Sequence, residues 1–286
     1  MASQFHLVGR IAVDVETPTG GGEGALCIHG LGGTSNSWTP LAPALSRFTA
    51  VRFDLPGSGR SHRVEGALSI DGFVEACRRV LASCRMERVH VLGHSLGTIV
   101  ATHLAAREPR LVRSLALFGP LLAPPDVARV AIRARADQAR AGGAAGMQAI
   151  ADALVQAATS AETKARRPAV VAYVRETLMR QDAEGYARTC DALAEAAPAD
   201  ASAITCPTVL VTGDEDGVAP PHSVRALGGR IAGSQVEVLR GCGHWTPLEK
   251  ADECIGILRR FYAGPARADG RPGNGRRQAH VQHAVH

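Results

Sequence analysis

This sequence has few aromatic residues and no long apolar segment. Aromatic residues make up only 4% of its 286 positions, and no apolar run reaches the roughly eighteen residues that a membrane-spanning helix needs. The first ten residues, MASQFHLVGR, lack the basic segment and long apolar segment of a secretory signal peptide. We therefore expect no membrane partner and a cytoplasmic location.

The cysteines and the charge also limit the possible functions. The seven cysteines are scattered, odd in number and without a C-x-x-C pair, which predicts neither a disulfide framework nor a zinc site. The formal net charge is +5, but the C-terminal segment contributes much of it, with four arginines against Asp269. Since the rest of the chain is close to neutral, we expect no nucleic-acid partner.

Short apolar segments alternate with helical patterns along most of the chain. This alternation is typical of βαβ units and predicts an α/β fold with a mostly parallel, eight-stranded sheet and helices on both faces. The predicted strands are FHLVG, RIAVDVE, ALCIHG, TAVRFDL, RVHVLGH, SLALFGP, TVLVTG and QVEVLRG.

The alternation is interrupted between the sixth and seventh strands. Residues 121–200 are rich in alanine and arginine and contain no convincing strand, so we predict a helical cap there, with a hinge or loop at AGGAAG. Residues 1–120 and 201–262 then form the core. Residues 263–286 have little to bury and are predicted to be a disordered basic tail.

Two helix starts have clear capping signals. Ser69 is a predicted N-cap before an apolar stripe of helical spacing. The segment TPLE predicts a second helix, with Thr246 as N-cap, Pro247 at the first position and Glu249 closing a capping box.

The segment VHVLGHSLGT places Ser95 in a G-x-S-x-G pattern between a predicted strand and a predicted helix. Such a turn requires small flanking residues and exposes the serine hydroxyl at the edge of the sheet, where the helix N-terminus directs N–H groups toward it. The pattern alone occurs often by chance, and its position between strand and helix is what favours a nucleophile. The N–H of Leu96, directly after the serine, is a predicted oxyanion-hole donor.

A nucleophilic serine needs a base and an acid, which this type of fold provides in the order Ser, acid, His. His244 follows the last predicted strand and is the candidate base. Asp216 and Asp214, with Glu215 between them, follow the preceding strand and compete for the role of acid.

The motifs HGLGGTSNSW, DLPGSGRS, GHSLG, GDEDGVAPP and GCGHWTPLEKAD occur in this order. Together they resemble the α/β-hydrolase superfamily, in particular its capped branch of esterases, lactonases, perhydrolases and C–C hydrolases. The resemblance extends from about Gly24 to Tyr262 and implies Asp216, the last residue of a G-x-x-D pattern, as the acid. It also implies the N–H of Leu31 as the second oxyanion-hole donor.

Other polar and aromatic residues fit less specific roles. Trp38 and Trp245 could line a substrate pocket, although packing explains them equally well. His29 and His94 lie beside glycine turns and are interpreted as positioning or packing residues, not as bases.

The resulting prediction is a serine hydrolase that cleaves a small carboxylic ester or lactone through an acyl-enzyme, without a metal or organic cofactor. Among superfamily members with a serine at this turn, the sequence most resembles 3-oxoadipate enol-lactonases and small bacterial carboxylesterases. The same three residues also serve C–C bond hydrolases and cofactor-free perhydrolases, and a hydrolase-like receptor for a small ligand is an alternative of a different class. The sequence does not indicate an oligomeric state.

Overall fold

The computed structural model describes residues 2–263. The predicted disordered tail, apart from Ala263, lies outside these residues. Within them, no helix combines the length and the apolar character that crossing a membrane requires.

Eight strands form a single sheet. They are β1 (Ala2–Val8), β2 (Ile11–Thr17), β3 (Gly24–Ile28), β4 (Thr49–Phe53), β5 (Val89–His94), β6 (Val112–Phe118), β7 (Thr208–Gly213) and β8 (Gln235–Leu239). Their order in the sheet is β1-β2-β4-β3-β5-β6-β7-β8. The strand β2 pairs antiparallel with β1 and with β4, and all the other pairs are parallel. This confirms the predicted mostly parallel, eight-stranded sheet.

Ten α-helices accompany the sheet within the described residues. Ser69 caps one of them as predicted, because its side chain accepts a hydrogen bond from the N–H of Gly72 at 3.0 Å. The helices are α1 (Ala42–Leu45), α2 (Ile70–Ser83), α3 (Leu96–Arg107), α4 (Asp126–Ala158), α5 (Ala161–Arg166), α6 (Pro168–Met179), α7 (Ala183–Ala194), α8 (Pro221–Gly228), α9 (Thr246–Glu249) and α10 (Ala251–Ala263).

Both faces of the sheet are covered, which explains why the central strands are apolar along their whole length. Successive side chains of a strand point to opposite faces. Leu26 and Ile28 of β3 accordingly pack in a core with α2 and α3. Cys27, between them, packs in a second core with α1 and α10.

Four helices, α4 to α7, lie between β6 and β7 in the segment predicted as the cap. The long helix α4 is kinked at Gly143, which has φ 51° and ψ −130°. A backbone with positive φ is accessible to glycine at little cost. The kink falls in AGGAAG, where the sequence predicted a hinge or loop.

The predicted capping box at Thr246 is wrong. Trp245 is the N-cap residue of the short helix α9, which runs from Thr246 to Glu249. Lys250 separates this helix from α10, which begins at Ala251. The buried Glu249 carboxylate instead accepts hydrogen bonds from the N–H groups of Trp245 and Gly243, both at 3.1 Å. It also accepts a hydrogen bond from the N–H of Ser160, 89 positions away in the sequence, at 2.8 Å, so a tertiary contact competes with the local capping signal.

Candidate active site

Ser95 occupies a strained turn between β5 and α3. Its φ of 52° and ψ of −120° are unusual for a residue with a side chain. A Cβ atom at Gly93 would lie 2.6 Å from the carbonyl oxygen of Gly97, and one at Gly97 would overlap the carbonyl oxygen of Ile28. Only glycine fits on either side of the serine, as the G-x-S-x-G pattern predicted, and Ser95 itself is left half-buried.

The structure brings three of the predicted site residues into one hydrogen-bonded chain. The Nε2 atom of His244 lies 2.8 Å from Oγ of Ser95, and its Nδ1 atom lies 2.9 Å from Oδ2 and 3.1 Å from Oδ1 of Asp216. Since an ionised carboxylate can only accept, Nδ1 carries the proton and Nε2 is free to accept from the serine hydroxyl. These residues follow β5, β7 and β8, whose carboxyl ends share one edge of the sheet.

The environment of Asp216 keeps its carboxylate ionised. Burial raises its pKa, but the electrostatic interaction and hydrogen bond with His244 and the N–H groups of Ala219 and Val218 outweigh burial and lower the pKa to about 2. Both N–H groups donate to Oδ1 at 2.8 Å. The carboxylate is therefore both charged and fixed in orientation at neutral pH.

The competing acidic residues bond elsewhere. Oδ1 of Asp214 accepts a hydrogen bond from the N–H of Cys242 at 3.2 Å, and Oε2 of Glu215 accepts one from the N–H of Ala161 at 2.8 Å. The first bond connects two loops, and the second connects a loop to the start of α5. Within residues 2–263, only Asp216 among the three bonds to His244.

The peptide group that carries the N–H of Leu31 is held in place through its carbonyl oxygen, which belongs to Gly30. The carbonyl oxygen of Gly30 accepts hydrogen bonds from Nδ1 of His29 at 2.8 Å and from the N–H of Gly33 at 3.0 Å. His29 can donate through Nδ1 because its Nε2 accepts from the N–H of Leu55. In a trans peptide the C=O and the N–H point in opposite directions, so fixing the Gly30 oxygen also orients the Leu31 N–H.

The peptide group that carries the N–H of Leu96 is fixed in the same way. The carbonyl oxygen of Ser95 accepts hydrogen bonds from Thr98, from its N–H at 2.7 Å and from its Oγ1 at 2.6 Å. Within residues 2–263, neither the Leu31 nor the Leu96 N–H donates to another protein group. Both predicted donors are thus oriented and unused.

The two tryptophans considered for substrate contact are buried. Trp38 is 1% and Trp245 is 4% exposed. Trp38 packs edge-to-face on Phe118, with ring centroids 5.9 Å apart, and Trp245 packs on His94 at 5.4 Å. Neither tryptophan lines the mostly apolar cavity of about 520 Å³ that the structure contains. The residues that line this cavity are Asn36, Thr39, Pro40, Ala169, Val170, Tyr173 and Leu248. Contact of the tryptophans with substrate stays a prediction.

Gly119, which the sequence reading did not select, lies against the imidazole of His244. Its φ is 55°, and a Cβ atom there would be 2.8 Å from Cε1 and 2.9 Å from Nδ1 of that ring. The signal available in the sequence was the glycine near the end of the predicted strand SLALFGP, at the edge where the other site residues lie.

Glu249 is a second residue that the sequence reading did not place in the site. Its side chain is fully buried, and it binds the N–H groups on both sides of His244. It also accepts the N–H of Ser160 from the cap at 2.8 Å, and the N–H of His244 itself donates to the carbonyl oxygen of Ala158. The histidine loop is therefore fixed partly by the cap.

Chemically, the arrangement combines a hydroxyl, an imidazole that can accept its proton, an ionised carboxylate and two free N–H groups. These are the components of nucleophilic acyl transfer. Within the described residues, no group of three or more histidine, cysteine or acidic side chains is placed to hold a metal ion.

Comparisons with known proteins identify the family of the chain. A family model described as alpha/beta hydrolase fold matches residues 26–251. The chain belongs to the α/β-hydrolase fold family, which confirms the predicted fold class and the coarser part of the predicted function, membership of a hydrolase family.

Individual proteins are similar over different lengths. The enol-lactonase from Burkholderia xenovorans LB400 is 26% identical, with a TM-score of 0.82 over 91% of this chain and 100% of that one. A thermophilic esterase from Thermogutta terrifontis is 22% identical, with a TM-score of 0.82 over 92% and 98% of the two chains. The predicted resemblance to enol-lactonases and small esterases is thus confirmed.

Among curated relatives, the acetyltransferase component of the acetoin cleaving system of Cupriavidus necator is 40% identical over 124 residues. The match covers 42% of this chain and only 32% of that relative's length.

Proposed function

We propose that the protein is a serine hydrolase that cleaves a small carboxylic ester or lactone. The observation that carries the proposal is the hydrogen-bonded chain from Oγ of Ser95 through His244 to Asp216, at 2.8 and 2.9 Å. Ser95 is the nucleophile, His244 the general base and then acid, and Asp216 the group that orients the imidazole and stabilises its charged form.

The reaction proceeds by two acyl transfers. Oγ of Ser95 attacks the substrate carbonyl while Nε2 of His244 takes the hydroxyl proton, and the resulting oxyanion is bound by the N–H groups of Leu31 and Leu96. The imidazolium then gives its proton to the leaving alkoxide oxygen as the C–O bond breaks. A water molecule then attacks the acyl-enzyme while His244 accepts its proton, and the imidazolium returns that proton to Oγ of Ser95 as the acyl–oxygen bond breaks, which releases the acid and free Ser95.

Two considerations favour an ester or lactone as substrate. An alkoxide leaves a tetrahedral intermediate more readily than an amide nitrogen or a carbanion does, so one proton from His244 suffices and the proposed reaction requires no metal or organic cofactor. In addition, the structural neighbour with 26% identity is an enol-lactonase. A small-molecule ester or lactone is therefore the proposed partner of the site.

The test is a panel of short p-nitrophenyl esters, simple lactones and an enol-lactone, assayed with purified wild-type protein and with the Ser95→Ala variant. Wild type is expected to turn over at least one class many times, and the variant to lose about 10⁴-fold or more in kcat with a nearly unchanged melting temperature.

Three results would contradict the proposal. The first is variant activity within about tenfold of wild type, because a nucleophile contributes far more than that. The second is cleavage of a C–C substrate with no turnover of any ester or lactone. The third is a single slow covalent event with a raised melting temperature and no turnover, which would indicate a ligand receptor.

A further inference from the structure

Gln181 connects the cap to the loop that follows β3, which we call the oxyanion loop (residues 30–33). It lies between α6 and α7 and is 6% exposed. Its Nε2 donates to the carbonyl oxygen of Thr177 at 2.8 Å and of Gly32 at 3.2 Å, and its Oε1 accepts from the N–H of Gly59 at 3.0 Å. Because the two carbonyls need a donor and the N–H needs an acceptor, this orientation of the amide is chemically fixed.

The carbonyl oxygen of Gly32 is held from the cap by two side chains. Thr177, near the end of α6, donates to it through Oγ1 at 3.2 Å, in addition to the bond from Gln181. The next residue, Leu178, lies so close that a Cβ atom at Gly32 would overlap its side chain. The cap thus contacts the middle of the oxyanion loop directly.

Two peptide groups transmit this restraint to the proposed oxyanion donor. The Gly32 carbonyl belongs to the same planar group as the N–H of Gly33, which donates to the carbonyl oxygen of Gly30 at 3.0 Å. That carbonyl in turn belongs to the planar group that carries the N–H of Leu31. Rotating the Gly32 carbonyl would therefore disturb the Gly33 bond and the direction of the Leu31 N–H.

We propose that Gln181, assisted by Thr177, is a positioning residue that sets the direction of the Leu31 N–H from the cap. The inference rests on the proposed function, in which that N–H binds the oxyanion. An oxyanion exists in the transition state and not in the bound ester, so a misdirected donor lowers kcat and leaves KM nearly unchanged.

The test compares Gln181→Met, which keeps the size of the side chain and loses its hydrogen bonds, with Thr177→Val, which removes only one of the two bonds to Gly32. The matched control is Gln156→Met, the same substitution at an exposed position of α4. For each protein we would measure kcat and KM with p-nitrophenyl butyrate, the inhibition constant of butaneboronic acid and the melting temperature.

Gln181→Met is expected to lower kcat by about 10- to 100-fold, less than the full loss of an oxyanion donor, with KM within about threefold of wild type. Boronate binding, which forms a tetrahedral adduct on Ser95, should weaken along with kcat. Thr177→Val should show the same pattern with a smaller change, and Gln156→Met should match wild type. Should Gln181→Met not fold, Thr177→Val alone decides between the outcomes.

Different results would overturn different claims. If Ser95-dependent turnover persists and both variants keep the wild-type kcat and boronate affinity, the proposal for Gln181 is wrong and the proposed function stands. A lower melting temperature with unchanged kcat would give Gln181 a purely structural role. If wild type turns over none of the esters and lactones of the panel under Proposed function and does not bind the boronate, the proposed function is overturned, and this inference with it.

Discussion

The Nε2 atom of His94 donates a hydrogen bond to the backbone carbonyl oxygen of His244 at 2.9 Å. The residue directly before the proposed nucleophile therefore holds the backbone of the proposed base. Burial, followed by the electrostatic interaction with His244, lowers the pKa of His94 to about 3, so its imidazole is neutral at pH 7. The end of β5 and the loop that carries His244 are therefore connected by two hydrogen bonds, this one and the one between Ser95 and His244.

His94 should make the protein less stable in acid. The unfolded chain binds a proton at this histidine below its ordinary pKa of 6.5, whereas the folded protein does so only below about 3. As the pH falls from about 6.5 toward 3, the free energy of unfolding should therefore decrease, by at most about 1.4 kcal/mol per pH unit for one such group.

The variant His94→Gln tests this expectation, because its amide can still donate to the His244 carbonyl but does not titrate. Urea unfolding at intervals between pH 6 and 4 gives the unfolding free energy as a function of pH. Its slope should be smaller in the variant than in wild type by about 1.4 kcal/mol per pH unit, which corresponds to one proton fewer taken up on unfolding. The slope should not vanish, since burial also lowers the pKa of His29. Equal slopes in the two proteins would refute the assignment.

Asp216 and Asp214 should differ strongly in their contribution to catalysis. Asp216→Asn removes the charge that orients His244 and stabilises its protonated form, and comparable changes in serine hydrolases cost about 10⁴-fold in kcat. Asp214→Asn weakens one bond between loops, which should cost about 1 kcal/mol of stability and little activity. Steady-state kinetics and thermal melts of both variants check the ranking, and the reverse order would transfer the role of acid to Asp214.

A methyl group at Gly119 should displace the imidazole of His244. In Gly119→Ala the new Cβ would meet Cε1 at 2.8 Å, and a displacement of about 1 Å in an active site can cost roughly 100-fold in rate. Gly143→Ala is the matched control, since that glycine has a similar φ of 51° and no atom near its Cβ position.

Both alanine variants should lose stability through backbone strain, by roughly 1–3 kcal/mol, as measured by urea unfolding. Only Gly119→Ala should lose kcat. Equal kcat values in the two variants would show that the contact with His244 has no effect on the reaction.

The fold could be predicted, and the residues of the candidate site could be selected, because their signals are local. Eight apolar segments with turn residues between them identified the sheet, and the glycines around Ser95 identified the strained turn. The order Ser, acid, His then indicated which strand ends to search. Among the acidic candidates, the resemblance selected Asp216, the residue that bonds to His244 in the structure.

What the sequence could not reveal depends on contacts between distant segments. Gln181 donates a hydrogen bond to Gly32, which lies 149 positions away in the sequence. Nothing in the alanine-rich cap sequence distinguishes this glutamine from an exposed one. The Thr246 signal failed for a similar reason, because Glu249 bonds around His244 and to the cap. Local propensity describes an isolated helix start. Here the hydrogen bonds of the buried Glu249 carboxylate, including the tertiary bond to Ser160, determine where its side chain lies.

The central claim is that Ser95 is a nucleophile activated by His244. The most direct measurement is covalent labelling with a fluorophosphonate, followed by intact-mass determination and peptide mapping of wild type, Ser95→Ala and His244→Ala. We predict one label on wild type, located at Ser95, no label on Ser95→Ala, and labelling of His244→Ala slowed by orders of magnitude. A wild-type protein that hydrolyses its substrate but remains unlabelled, or carries the label on another residue, would contradict the account.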